Sequence, residues 1–326
     1  MAEKYSVTSE LRGGVEVFVL REAEEARAEI APSLGNNCFA FQAAAPILEP
    51  VEFDEFQSKP TSFGIPVLFP FPNRIRDGVF SFRGRSFRVD PPRHGFVRDK
   101  AWRVELTGAT AEEGAWIKSS IDAANYSDQI LAQFPYPFRL EVIYRLKDSA
   151  LEMEATARNT GDEDMPAGYG IHPYFRRPDQ GSIQVPARKR WELADSLPTG
   201  RLLDAEGSYD LREPRDLNAL SLDDIFTDSS ADADGLTRCR LNDIQASSQV
   251  VVEFDPKVFP HIVVYTPPAP RRAICIEPNT CPTDAFNLQE RGIESNLLVL
   301  RPGEAATFKV RFYIRPIPPH KRSSTP

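Results

Sequence analysis

Two ionisable side chains lie in segments of the sequence that are otherwise apolar. Glu277 directly follows the apolar run 273–276 and precedes a proline. His172 lies within the glycine- and aromatic-rich segment 168–176. Burying an unpaired carboxylate costs free energy, so such a glutamate needs a partner, a raised pKa or a functional cleft. A histidine and a carboxylate in apolar surroundings suit general acid–base chemistry on a neutral substrate. Each residue alone could equally be a core residue whose polar atoms are satisfied.

Two further segments place polar side chains beside aromatic residues and prolines. The run 64–72 contains three prolines, and each would remove a hydrogen-bond donor from a central strand, so this run must be a shaped loop or an edge. The run is followed by Asn73 and Arg74, which can hydrogen-bond hydroxyl groups or anions. His94 stands before a glycine in the second segment, and on its own it is more typical of a turn or a surface position.

Composition and charge exclude several classes of protein. The 326 residues are 41% hydrophobic and 26% charged, as in a folded chain with a packed core. A net charge of −8 is opposite to that of a general binder of nucleic acids or anionic membranes. No apolar run approaches the roughly 18 residues of a membrane span, and the first ten residues lack the apolar centre of a secretion signal. We therefore expect a cytoplasmic protein.

No motif points to a bound metal or nucleotide. The four cysteines lack paired C-x-x-C spacing and there are only four histidines, which argues against a disulfide framework and a structural zinc site. Neither a G-x-G-x-x-G nor a Walker A sequence is present. We predict no metal and no cofactor. Cys275 and Cys281 lack an elbow motif for nucleophilic catalysis, but catalysis by a Cys–His pair stays open as an alternative.

Strand-like alternation is widespread and long helical stripes are missing. The 29 prolines argue against many long helices, because proline in a helix interior costs about 3 kcal/mol. The clearest hairpin joins 138–146 to 150–159, and another turns at Gly84 within 79–89. Further strands are predicted at 102–107, 115–122, 182–186, 249–254, 261–265, 273–277 and 304–314. Residues 227–235 read as a surface loop.

The strand spacing suits a large antiparallel β-sandwich, so the predicted class is all-β. No glycine- and proline-rich linker divides the chain, and we predict a single domain over 1–315. The segment 316–326 is basic and rich in proline, and it is predicted to be a disordered tail.

Four segments in order resemble the motifs of the aldose 1-epimerase (galactose mutarotase) family. They read FPFPNRIRDG, HGFVRD, GIHPYF and CIEPNT and are spread over 64–280. The resemblance implies a single-domain antiparallel β-supersandwich with few short helices. It also implies an isomerase without a cofactor, whose partner is a small monosaccharide. That enzyme would interconvert the α and β anomers of a free hexose such as glucose or galactose.

The resemblance also implies roles for individual residues. His172 of GIHPYF would be the general acid that protonates the ring oxygen, and Glu277 of CIEP would be the general base. Asn73 and Arg74 of the FPNR motif would bind the sugar.

Two further sugar-binding residues follow from the same resemblance. His94 matches the family's second histidine. The family's sugar-binding aspartate matches Asp223, which has the expected offset to Phe226, but Asp224 is adjacent and remains an alternative.

Two other functions stay open. A hexose-6-phosphate 1-epimerase is suggested by the excess of positive charge over 71–103, where three aspartates accompany nine basic residues: Arg74, Arg76, Arg83, Arg85, Arg88, Arg93, Arg98, Lys100 and Arg103. A carbohydrate-binding protein without turnover would keep the fold and the cleft. The presence of both His172 and Glu277 favours catalysis, because binding alone needs no acid and base. Both a monomer and a homodimer are compatible with the sequence.

Overall fold

Antiparallel strands form most of the structure, and the helices are few and short. The computed structural model describes residues 4–318. Its strands, in chain order, are β1 (Tyr5–Arg12), β2 (Val15–Glu22), β3 (Ala26–Ala31), β4 (Asn37–Ala43), β5 (Ala45–Pro46), β6 (Val67–Leu68), β7 (Val79–Phe82), β8 (Arg85–Arg88), β9 (Arg103–Thr110), β10 (Gly114–Asp122), β11 (Phe138–Lys147), β12 (Ala150–Asn159), β13 (Met165–Ala167), β14 (Gly170–Ile171), β15 (Tyr174–Arg176), β16 (Gly181–Gln184), β17 (Ala187–Ala194), β18 (Leu197–Asp204), β19 (Arg215–Asp216), β20 (Asp223–Ser229), β21 (Thr237–Asp243), β22 (Ser248–Phe254), β23 (His261–Tyr265), β24 (Ala273–Asn279), β25 (Leu298–Leu300) and β26 (Ala305–Pro316). The α-helices are α1 (Phe53–Ser58) and α2 (Ala285–Glu290).

Two large sheets dominate the architecture. The nine-stranded sheet has the order β19-β16-β21-β22-β26-β12-β11-β10-β9. The eight-stranded sheet follows the order β18-β17-β20-β23-β24-β14-β6, and β15 pairs with β24 as well. Strands β1 to β5 form a five-stranded sheet, and the pairs β13–β25 and β7–β8 form two small ones. The predicted all-β supersandwich with few short helices is confirmed.

The alternation of apolar residues explains how the sheets pack. In the hairpin of β11 and β12, Leu146 pairs with Leu151, and inward positions are buried while most outward ones stay partly exposed. One buried cluster contains Leu151 and Met153 of the nine-stranded sheet together with Ile274 and Ile276 of the eight-stranded sheet. The main core therefore lies between the two large sheets. The opposite face of the eight-stranded sheet is left free to carry polar residues.

Two stretches differ from the predictions made from the sequence, and a third lies partly outside the described residues. The loop predicted at 227–235 is wrong at its start, because β20 continues to Ser229 and buried Thr227 pairs with His261. The hairpin of β17 and β18 was not predicted, because its many charged residues hide the alternation. Pro316 ends β26, and residues 319–326 of the predicted tail lie outside the described residues. Within 4–318, no helix is long and apolar enough to cross a membrane.

Gly95 shows how closely the loops beside the eight-stranded sheet are packed. Its φ is 66°, and a Cβ atom there would lie 2.0 Å from the carbonyl oxygen of Phe69. The backbone N–H of Phe96 donates to that same oxygen over 2.9 Å, which fixes the approach of the two segments. A side chain at this position would have to push the backbone segments apart.

We expect Gly95→Ala to lower the free energy of unfolding by roughly 3 kcal/mol or more, because left-handed strain is combined with a backbone clash. Gly84→Ala is the matched control. Gly84 has a φ of 75°, but nothing lies within 4 Å of its Cβ position. Its substitution should cost only about 1 kcal/mol. Chemical denaturation measures both losses, and equal losses would contradict the clash with Phe69.

Candidate active site

Strand alternation brings Glu277 to the free face of the eight-stranded sheet. Ile274 and Ile276 of β24 point into the main core, so Cys275 and Glu277 point to the opposite side. In the neighbouring β23, Val263 pairs with Glu277. The glutamate thus stands in the middle of a fully buried strand and not on a flexible loop.

The same alternation separates the two candidate aspartates. Asp223 pairs with Tyr265, which flanks the free face, whereas Asp224 pairs with a β23 residue that points into the main core. Asp224 lies 4.0 Å from a guanidinium nitrogen of Arg190. Asp223 instead lies 3.7 Å from a guanidinium nitrogen of Arg74. The structure therefore places Asp223, and not Asp224, with the other candidate residues.

His172 is held opposite Glu277 by the strands on either side of it. Both β14 and β15 pair with β24, and the register of these pairs brings His172 level with Glu277. The backbone N–H of His172 donates to the carbonyl oxygen of Pro66 over 3.0 Å. The proline-rich run predicted to be a shaped loop or an edge thus supports the histidine.

Asn73, Arg74 and His94 lie on two adjacent loops. The backbone N–H of His94 donates to the carbonyl oxygen of Asn73 over 2.6 Å, and Arg74 forms an isolated bridge with Arg93. The side-chain oxygen of Asn73 accepts a hydrogen bond of 3.1 Å from Arg74. These contacts link the two loops that carry the predicted sugar-binding residues.

A cleft of about 240 Å³ opens on this face of the sheet. It is lined by every site residue predicted from the sequence: Asn73, Arg74, His94, His172, Asp223 and Glu277. Arg93, Arg98, Tyr174 and Tyr265 also line the cleft, and the sequence analysis assigned them no role there. Tyr174 could have been found, because the second residue after His172 in an extended segment faces the same side.

The centre of the cleft is a contact between the predicted acid and base. Nε2 of His172 lies 3.2 Å from Oε1 of Glu277, and the two side chains are 10% and 2% exposed. Nδ1 of His172 is buried and has no hydrogen-bond partner within residues 4–318. The ring of His172 stacks on that of Tyr174, with 4.5 Å between centroids and 20° between planes. It also meets the ring of His94 edge-on, with 5.4 Å between centroids.

Burial shifts the two pKa values in opposite directions. Loss of solvation raises the pKa of Glu277 well above 4.5, and the charge of Asp223 acts in the same direction. Loss of solvation lowers the pKa of His172 to about 3, and the charge of Arg98 adds to this effect. Without a substrate, both shifts favour a resting pair of a protonated carboxyl group and a neutral imidazole, which share one proton. Burial also lowers the pKa of His94 well below 6.5.

One group of side chains in the described part of the chain has ligand atoms close enough to hold a metal ion. Atoms of His172, Cys275 and Glu277 all lie within 4.8 Å of one another. A metal would need the thiolate and the carboxylate, yet burial raises the pKa of both Cys275 and Glu277 well above their ordinary values. In the absence of a metal, burial therefore favours the protonated forms of Cys275 and Glu277.

The sequence model of the aldose 1-epimerase family matches residues 41–313. The chain belongs to the aldose 1-epimerase family. The resemblance seen in the four sequence motifs is thus confirmed.

Relatives of this aldose 1-epimerase family member include YihR, an uncharacterized protein of Escherichia coli strain K12. It is 26% identical over 255 residues, which cover 73% of this chain and 75% of YihR. A galactose mutarotase-like protein from Clostridium acetobutylicum superposes with a TM-score of 0.83 at 23% identity, covering 96% of this chain and 99% of that one. A galactose 1-epimerase from Lactobacillus acidophilus gives a TM-score of 0.75 at 15% identity, with coverages of 97% and 99%. These structures share the fold.

Glu277→Gln should change how stability depends on pH. Above pH 4.5, and up to the raised pKa, the folded protein keeps a proton on Glu277 that the unfolded chain has released. The free energy of unfolding of the unmodified protein therefore falls as the pH rises through this window. Glutamine has no such proton, so the melting temperature of the variant should rise relative to the unmodified protein as the pH increases from about 4.5 toward the raised pKa of Glu277.

Glu113→Gln is the control, because Glu113 is an exposed residue in the turn between β9 and β10. Its melting temperature should follow that of the unmodified protein at every pH. Parallel curves for Glu277→Gln as well would mean that Glu277 ionises in the folded protein as it does in the unfolded chain.

Proposed function

We propose that the protein is an aldose 1-epimerase that interconverts the α and β anomers of a hexose such as glucose or galactose. The observation that carries the proposal is the 3.2 Å contact between Nε2 of His172 and Oε1 of Glu277 in a small polar cleft. Membership of the family supports the same type of reaction.

The reaction needs an acid and a base that lie close together. Opening a cyclic hemiacetal removes a proton from the C1 hydroxyl group while the ring oxygen gains one, and both oxygens are bonded to C1. Glu277 accepts the first proton as the general base, and protonated His172 donates the second as the general acid. After rotation about the C1–C2 bond the two residues exchange roles, and the ring closes on the other face of the carbonyl group.

The reactive form of the pair differs from its resting form only in the position of one proton. Transfer from the carboxyl group of Glu277 to His172 creates the carboxylate and the imidazolium that ring opening requires. The positive charge of Arg74 favours the carboxylate, and hydroxyl groups of a bound sugar would do the same. The pair needs no proton from the solvent during a catalytic cycle.

The remaining polar residues of the cleft are suited to holding sugar hydroxyl groups. Asn73 and His94 offer donors and acceptors, Arg74 offers donors and Asp223 offers acceptors. The Arg74–Asp223 pair is only partly exposed, with its closest atoms 3.7 Å apart, which leaves both groups free to turn toward a ligand. Tyr265 supplies an aromatic wall beside them.

A carbohydrate-binding protein without turnover is the second candidate. Asn73, Arg74 and Asp223 would suffice for binding hydroxyl groups. A binding protein has no use for a desolvated carboxyl group held against a desolvated imidazole, since burying both groups costs free energy. The buried pair therefore favours catalysis.

Purified, chelator-treated protein should accelerate α/β exchange of glucose or galactose, measured by polarimetry or by NMR exchange. Glu277→Gln and His172→Asn should each lower kcat by about 10²–10⁴-fold, because each removes a proton-transfer group but keeps the approximate shape. Activity that disappears with a chelator and returns with a metal would contradict acid–base catalysis. So would a near-normal kcat for Glu277→Gln with an unchanged circular dichroism spectrum.

His261→Asn is the matched control for His172→Asn. His261 is also a buried histidine on the free face of the eight-stranded sheet, but it does not line the cleft. Nε2 of its ring lies 3.0 Å from the side-chain oxygen of Asn296. This substitution should lower the melting temperature and leave kcat close to that of the unmodified protein.

Asp223→Asn and Asp224→Asn should have different effects on KM. Loss of the charged acceptor at Asp223 should raise KM for glucose by about tenfold or more, the usual size of a hydrogen bond to a charged group. Asp224→Asn should leave KM unchanged, because Asp224 is on the other face of β20. Equal effects of the two substitutions on KM would remove Asp223 from the sugar site.

A further inference from the structure

Two arginines line the cleft without a partner. Within residues 4–318, the guanidinium groups of Arg93 and Arg98 make no side-chain hydrogen bond and have no carboxylate within 4.0 Å. Arg93 is exposed, whereas Arg98 is half-buried, and burial lowers its pKa. A guanidinium group that has lost part of its hydration without gaining a partner is suited to bind an anion.

The other basic residues of the region 71–103 are used elsewhere. Ion pairs join Arg74 to Asp223, Arg76 to Asp284, Arg83 to Asp164, Arg85 to Glu163, Lys100 to Asp99 and Arg103 to Glu105. Arg88 lies in the hairpin of β7 and β8 and does not line the cleft. Three cations of this region thus have no ion pair in the described residues, and two of them, Arg93 and Arg98, line the cleft.

The charges inside the cleft do not balance. Its carboxylates are Asp223, which accompanies Arg74, and Glu277, which is protonated in the resting pair. No carboxylate of the cleft therefore remains to compensate Arg93 and Arg98. A neutral hexose would leave both cations unpaired and Arg98 partly desolvated, whereas an anionic group on the sugar would compensate them.

The position of the two arginines indicates which part of the sugar would carry the anion. Both guanidinium charges act on His172, the residue that faces the ring oxygen under the proposed function. In a hexopyranose the ring oxygen is bonded to C5, and C5 carries C6. A substituent on C6 is therefore the exocyclic group closest to the atoms that His172 contacts.

Space for such a substituent exists beside Arg98. A second cavity of about 670 Å³ shares Arg98, Thr61 and Ser62 with the cleft. The rest of its wall carries Asp90, Asp99 and Asp128, which would repel an anion, together with Lys59 and Lys100, of which Lys100 is paired with Asp99. The favoured position for negative charge is therefore the junction of the two cavities, next to Arg98.

We propose that the preferred substrate is an aldohexose with an anionic group on C6, bound by Arg98 and Arg93. The inference rests on the proposed epimerase function and refines its substrate class. A carboxylate, a phosphate or a sulfonate would supply the same charge at the same place, and the experiment separates them. Neutral hexoses are turned over as well, with lower kcat/KM.

The test compares glucose with glucuronate, glucose 6-phosphate and the C6 sulfonate of glucose by NMR exchange at low ionic strength. At least one anionic sugar should exceed glucose in kcat/KM by about tenfold or more, as expected for charge-assisted hydrogen bonds. The ratio of anionic to neutral kcat/KM should fall by about tenfold in Arg98→Gln and should also decrease in Arg93→Gln. High salt should reduce the ratio in the unmodified protein.

Arg88→Gln is the matched control, because Arg88 is an exposed arginine of the same region without an ion pair in the described residues. Its ratio should equal that of the unmodified protein. A ratio near one for all three anionic sugars would overturn the proposal, and so would a preference that survives in the double variant of Arg93 and Arg98.

Failure of the epimerase function is distinguishable from failure of this inference. If no sugar is turned over, calorimetry still compares the Kd values of the same four sugars. Tighter binding of an anionic sugar that is lost in Arg98→Gln would support the anion site and reject catalysis. Equal Kd values would overturn the anion site. Turnover of glucose without any preference would leave the epimerase function standing and remove only the C6 anion.

Discussion

The site depends on one contact, in which the carboxyl group of Glu277 and the imidazole of His172 are held together out of water. Isolated charges in such a place would cost several kcal/mol each. The opposite pKa shifts of Glu277 and His172 avoid that cost, because the resting pair is neutral and shares a single proton. The fold can therefore bury both groups while keeping a charge-separated form one proton transfer away.

Rigid surroundings make this contact possible. Glu277 is fixed by strands on both sides of β24, and His172 is fixed by the backbone and by the ring of Tyr174. The guanidinium group of Arg271 lies 4.2 Å from the centre of the Tyr174 ring, and an ion pair with Glu49 holds Arg271 in this position. This stack of cation, phenol and imidazole limits rotation of the histidine ring. Its Nε2 atom consequently stays directed at the carboxyl group.

Some elements of the fold and some residues of the cleft could be predicted from the sequence, and others could not. Regular alternation, as in 150–159, predicted the hairpin and the core well, whereas charged residues along β17 and β18 concealed a hairpin of the same kind. The motifs indicated His172 and Glu277, because a polar residue in an apolar run is conspicuous. Arg93 and Arg98 could not be distinguished from the other basic residues nearby, since only the pairing of the others in three dimensions shows which charges remain free. The choice between Asp223 and Asp224 likewise needed the register of β20 against β23.

The division of the cleft between sheet and loops has a consequence for how such a protein can diverge. Glu277 belongs to a central strand, whereas Arg93, His94 and Arg98 belong to a loop segment joined to its neighbours by isolated bridges. Exchanging a loop side chain alters the groups that meet the distant part of a sugar but leaves the strand pairing of β24 intact. Descendants of one ancestral gene can therefore acquire new sugar preferences by a few loop substitutions while inheriting the ring-opening machinery unchanged. Fold and reaction type should consequently persist across lineages longer than substrate identity does.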